Sequence, residues 1–146
     1  MKQENLGKII SIILLLLWCS LIFYFSNQVG AISEESSSRV LLFLDNIFKT
    51  NLTNSLVATI IIRKCAHMFL YFVLYLICLY VDNSYNIKKK ILFCFIFCFI
   101  YSLSDEIHQL FIYERSFGIT DILIDMIGSS IAYIFVKLFK FKKLSN

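Results

Sequence analysis

Four long apolar stretches dominate the chain, separated by connections where charged residues collect. They run from Ile9 to Phe25, about Leu56 to Val81, Ile91 to about Phe111, and about Ile119 to Phe139. A bilayer core about 30 Å thick needs roughly 20 helical residues to cross it, and each stretch approaches that length. Backbone groups in hydrocarbon must be satisfied within their own segment, so all four are expected as helices. The first follows Lys2 and Lys8 like a signal peptide. It exceeds a usual signal core, and only Val29-Gly30-Ala31 resembles a cleavage site, so a retained span is expected. A fifth element is predicted in the connection after it. Ser33-Glu34-Glu35-Ser36 offers a capping hydroxyl and acids suited to a helix dipole. Val40, Leu41, Leu44, Ile47 and Phe48 then recur at helical spacing, which reads as an amphipathic helix on the outer membrane surface. The expected fold is an all-α integral membrane protein, one domain over 1–146: a four-helix transmembrane bundle with a short outer amphipathic helix.

Composition agrees. The 146 residues are 59% hydrophobic, 16% charged and free of proline. Soluble domains carry about 25% charged residues, so this chain has too little polar surface to cover a water-exposed globule. Lys2, Lys8, Lys88 to Lys90 and Lys137 to Lys143 flank apolar runs, which is membrane anchoring and argues against a nucleic-acid partner. By the positive-inside bias these clusters put both termini in the cytoplasm of a multi-pass cell-membrane protein. Arg39, Lys49 and Arg115, partly balanced by Glu34, Glu35, Asp45 and Glu114, fall outside. The five cysteines lie in apolar runs without a CxxC pair and read as small packing residues. Asn51-Leu52-Thr53 matches a glycosylation pattern too short to carry weight.

The candidate chemistry is polar residues placed inside the spans. At about 1.5 Å per residue, His67, Asp105 and Asp125 on three helices each fall roughly 18–22 Å above the inner boundary. Arg63, Lys64, His108, Gln109 and Asp121 fall slightly higher, with Arg115 capping them from a loop. Arg63, His67 and Tyr71 form one stripe; Asp105, His108 and Gln109 share a face; Asp121 and Asp125 sit one turn apart above Gly128 and Ser129. Glu106 lies off its helix's polar face but within reach of Gln109. Ionised groups near mid-membrane cost about 2.5 to over 10 kcal/mol, so these faces should turn inward and pair. The expected pairs are Arg63 or Lys64 with Asp105 or Asp125, and Arg115 with Asp121 or Glu106. His67, Asp105, Glu106, His108 and Asp125 are candidates for proton transfer. The two histidines beside carboxylates would suit a metal, but no HExxH-type helix supports one and no cofactor is indicated. Arg63, Lys64 and Arg115, with Gln109 and Asp121 beside them, are the candidate binding set for an anionic group. A purely structural ion network that fixes helix packing is the competing reading.

Arg63-Lys64-Cys65-Ala66-His67, Ser104-Asp105-Glu106-Ile107-His108-Gln109, and Glu114-Arg115-Ser116-Phe117-Gly118-Ile119-Thr120-Asp121 with Asp125 and Gly128 together resemble the VanZ-like family. Phe25-Ser26-Asn27-Gln28 fits the same pattern, so the resemblance covers most of the chain. One departure is Leu70 before Tyr71, where the family often carries an acid. The resemblance implies a membrane family named for low-level resistance to the glycopeptide teicoplanin, and leaves open whether any reaction is catalysed. The expectation is a protein that binds or modifies an anionic or lipid-linked cell-envelope substrate at an outward-facing intramembrane site, with membrane lipid around it. A non-enzymatic scaffold and a small proton-coupled transporter would use the same residues.

Overall fold

The computed structural model describes residues 2–49, 55–85 and 90–144, which are helical with no strand among them. The helices are α1 (Lys2–Ser26), α2 (Gly30–Phe48), α3 (Leu56–Tyr85), α4 (Lys90–Gln109) and α5 (Ile119–Leu144). Asn51-Leu52-Thr53 and Lys88-Lys89 lie outside the described residues. All but α2 carry a segment long and apolar enough to cross a membrane: Asn5–Ser26, Leu56–Tyr85, Ile91–Gln109 and Ile119–Phe139. The four expected spans are therefore present, the first two extended by several residues.

α3 is the central helix and packs against each of the others. It runs alongside α5 in the same direction, with Lys64 against Asp121, Met68 against Gly128 and Phe72 against Phe135. α1 and α4 form a second parallel pair, joined by Tyr101 Oη donating to the Cys19 carbonyl (2.6 Å). Trp18 Nε1 donates to the Leu70 carbonyl (3.0 Å) and ties the two pairs together. The core gathers Ile22, Tyr71, Leu74, Tyr75, Cys78, Cys94, Cys98 and Ala132. Three cysteines thus serve as small packing residues, whereas Cys65 lies exposed on the bundle surface. Leu16 and Leu17 stay 61% and 63% exposed, which is the outside of a body whose solvent is lipid.

Polar groups inside the spans are satisfied locally where they can be. The hydroxyls of Ser20, Thr59, Ser84, Ser129 and Ser130 each donate to the carbonyl four residues earlier. Gly128 has a different reason to be small. A Cβ there would run into the Met68 carbonyl of α3, so the two backbones meet with nothing between them.

α2 differs from expectation at its start. It begins at Gly30, before Ser33, and no side chain of its own caps it. The free N–H groups are taken instead by the loop after α4: Gly30 N donates to the Tyr113 carbonyl (3.2 Å) and Ala31 N to Glu114 Oε2 (3.1 Å). Of the predicted apolar face only Leu41 is buried, at 2% exposure, while Val40, Ile47 and Phe48 stay exposed. α2 packs chiefly on α3, and Ile47 and Phe48 lie away from that contact.

Gly128→Val should lower the thermal midpoint of the protein in lipid nanodiscs, at a cost of about 1–3 kcal/mol or more from overpacking. An unchanged melting curve would mean that α3 and α5 do not approach this closely.

Candidate functional site

The ends of α1 and α4 meet the starts of α3 and α5 at one end of the bundle. The opposite end carries the start of α1 beside the end of α3, with Lys8 Nζ 5.8 Å from the Tyr85 ring centre. Two short connecting stretches, 27–29 and 110–118, interlock at the first end.

The R-x-x-G-x-x-D run shows how. Arg115 Nε donates to the Gln28 carbonyl (3.2 Å), which locks the α4–α5 loop to the α1–α2 junction. Gly118 N donates to Glu106 Oε2 (2.8 Å), so an α4 carboxylate meets the open N-terminus of α5, where the helix dipole favours it. Asp121 accepts from Lys64 Nζ (2.6 Å) and joins α5 to α3. A Cβ at Gly118 would fall 2.9 Å from Asp121 Oδ2, so this corner has no room for a side chain. Glu114 holds a left-handed φ of 60° while its carboxylate caps α2, a strained backbone kept by its contacts.

One turn deeper, Asp125 is 1% exposed and accepts from Ser102 Oγ (2.6 Å). Its other oxygen faces His67 Nδ1 at 3.6 Å, which is ion-pair range for a protonated imidazole but longer than a hydrogen bond. Asp105 accepts from Gln109 Nε2 (3.3 Å), which also donates to Ser26 Oγ (3.0 Å) at the end of α1. Four buried polar atoms in this region have no hydrogen-bond partner in the protein: His67 Nδ1, Tyr71 Oη, Glu106 Oε1 and Asp125 Oδ1. Such atoms are costly and mark a place where something polar is to be met.

The pairing differs from the sequence expectation. Lys64 binds Asp121 rather than Asp105 or Asp125, because the parallel run of α3 and α5 puts those two residues level. Arg115 takes a backbone carbonyl rather than Asp121 or Glu106, since its loop folds toward α1. Glu106 turns to Gly118 instead of Gln109. Arg63 forms no ion pair or hydrogen bond among the described residues. Burial pulls the Arg115 guanidinium below its ordinary range, and the charge of Arg63 adds to this, with Asp105, Glu106 and Asp121 opposing.

A polar cavity of about 70 Å³ is lined by Arg63, Lys64, His67, Gln109, Arg115 and Asp121, with Glu114 and Ser116 at its rim. Asp105, Glu106 and Asp125 lie buried near it. His108 stands apart: its ring stacks on Phe23 (4.7 Å between centres) and Nε2 faces Asn27 Oδ1 at 3.3 Å. Among the described residues no three His, Cys, Asp or Glu side chains converge closely enough to hold a metal ion.

Ser102 and Tyr71 escaped the sequence reading as site residues. Ser102 falls on the Asp105–Gln109 stripe, a signal that was available; spacing puts Tyr71 on the Arg63–His67 stripe but does not show that its hydroxyl is buried. Asp82 also went unread as a core residue: it is fully buried toward the other end and accepts from Cys94 Sγ (3.1 Å).

Lys64→Ala, Asp121→Ala and the double variant should show a coupling of about 0.5–3 kcal/mol in unfolding experiments. The two side chains are 35% and 26% exposed, which argues for the middle of that range rather than its top. Strict additivity would remove the ion pair from the account.

A family model described as VanZ/LLP1 matches residues 11–140. Comparison with curated proteins and with solved structures gave no match.

Proposed function

We propose, for a chain that belongs to the VanZ/LLP1 family, that the polar cavity binds an anionic cell-envelope substrate and that His67 with Asp125 serves it as an acid–base pair. One observation carries the reading. Every acid around the cavity already has a donor within the protein, while two guanidinium groups lack an acid. Asp121 has Lys64, Glu106 the α5 N-terminus, Glu114 the α2 N-terminus, Asp105 has Gln109, and Asp125 has Ser102. Arg63 and Arg115 remain without a bonded acid, side by side and repelling, with Asp105, Glu106 and Asp121 offsetting part of the charge at Arg115. A guanidinium fork suits a phosphate or a carboxylate.

The acid–base role rests on the unpartnered atoms. His67 Nδ1 and Asp125 Oδ1 face each other across a gap that a shared proton or a substrate hydroxyl would bridge. Asp105 and Glu106 would set the field around them, and Lys64, Gln109 and Asp121 would shape the cavity wall. His108 would hold the end of α4 to α1. The lysine clusters favour an orientation with the termini inside, which turns this site toward the outer leaflet, where envelope precursors are presented. An effect on teicoplanin tolerance follows if the substrate is such a precursor or a surface lipid.

His67→Gln and Asp125→Asn, expressed at wild-type membrane levels, should return teicoplanin susceptibility of a sensitive host to the empty-vector value, as loss of an acid–base group costs about 10²–10⁴-fold in rate. Retained tolerance in both variants would sink the acid–base role. For the orientation, a cysteine at Ser36 should react with an impermeant maleimide on intact cells, and one at Ser84 should not. The opposite labelling would turn the site inward.

A further inference from the structure

A second, larger cavity adjoins the polar one. It is a half-open groove of about 400 Å³ between α1, α2 and α3, within the roughly 300–1,000 Å³ of small-molecule sites. Its walls are apolar: Trp18, Leu21 and Ile22 from α1, Val40 from α2, and Phe69 and Leu70 from α3. Arg63, His67 and Arg115 line both cavities, so the hydrocarbon-walled space ends at the two arginines that lack an acid. Asp105 reaches the same junction, committed to Gln109; Glu34 shares a neighbouring recess with Arg63 without bonding it.

We infer that the joined cavities hold one anionic amphiphile, its hydrocarbon chain between α1, α2 and α3 and its phosphate against Arg63 and Arg115. The inference rests on the anion reading above and names the class of ligand. The physical case is that the two halves make opposite demands. A free anion would leave the apolar cavity unused, and an uncharged lipid would leave the guanidiniums without a bonded acid. A phosphate on a hydrocarbon tail satisfies both, since the tail gains an apolar surface and the fork geometry of arginine matches the head. α2 supplies one wall, and its pinning by Glu114 and Tyr113 fixes that wall to the loop that carries Arg115. The helix and the head-binding arginine therefore form one unit.

Trp18 makes the test direct, because it is the sole tryptophan in the chain and lines the apolar cavity. The probes are 12-bromododecyl phosphate and uncharged 12-bromododecanol, whose bromine quenches indole fluorescence on contact, added to the full chain in nanodiscs. The expected result is saturable quenching by the phosphate at concentrations about tenfold or more below those of the alcohol. Arg63→Gln should erase that preference. Ala66→Phe, which fills the cavity from α3, should weaken saturable quenching about tenfold, with circular dichroism and gel-filtration behaviour unchanged. Where Ala66→Phe does not fold, Ser36→Phe fills the same space from α2. Inorganic phosphate should compete only far above the probe concentration. If it displaces the probe equally well, the anion site stands and the amphiphile inference fails. If both probes quench alike, or Arg63→Gln changes nothing, the anion reading fails with it.

Discussion

Hydrocarbon offers no hydrogen bonds, so a charge carried into a span must be met by another part of the same chain. That constraint organises this molecule. Lys64, His67, Asp105, Glu106, Asp121 and Asp125 sit on three different helices, and their contacts oblige α3, α4 and α5 to bring these residues to one height. Apolar packing alone would not impose this. Leucine and phenylalanine surfaces slide past one another at small cost in lipid, whereas an ion pair displaced by one turn leaves two unpaired charges. The bundle's register is thus set where its polar residues are, and the direct backbone contact at Gly128 lies only two turns below Asp121.

The connections follow the same logic. Helix N-termini expose N–H groups and a partial positive charge. Here two of them are closed by carboxylates from elsewhere in the chain, Glu106 at α5 and Glu114 at α2. Each acid does double duty, ending a helix and spending its own charge inside the protein. One consequence is that the loop 110–118 cannot move independently of α2, because Tyr113, Glu114 and Arg115 all bind the α1–α2 junction. A second is that the acids, although more numerous than the bases around the cavity, leave the arginines without a bonded acid.

Much of this was legible in the residues. Span lengths, a helix after the first span and the common depth of His67, Asp105 and Asp125 follow from hydropathy and a rise per residue, which are local quantities. Pairing was not legible, for a physical reason. Depth and helix face restrict which groups can meet, but the choice between Asp121 and Asp125 as the partner of Lys64 depends on a relative shift of α3 and α5 of about one turn, some 5.4 Å. That shift is fixed by the Gly128–Met68 contact; the size of Gly128 signals a close approach, but nothing in α3 marks Met68 as its partner. The start of α2 was misread for a related reason. Ser33 looks like a cap, but the cap comes from Glu114, eighty-three residues from Ala31, and a local rule has no access to it. His108 shares a helix face with Gln109 by spacing, yet the end of α4 lies so close to α1 that Phe23 and Asn27 take the ring first.

The competing idea, a network that serves packing alone, must account for Arg63. A structural network gains by pairing every charge, since a buried cation without an acid weakens the fold it belongs to. Lys64 follows that rule and its chain neighbour Arg63 does not, although Glu34 and Asp105 both lie near enough to line recesses with it. Two guanidiniums that repel each other across a junction of apolar and polar space are a poor way to hold helices together. They are a sound way to hold an anion, because binding then removes the repulsion as well as forming the new contacts. Arg63 bonds neither neighbouring acid, and the anion proposed above would use that unmade pairing.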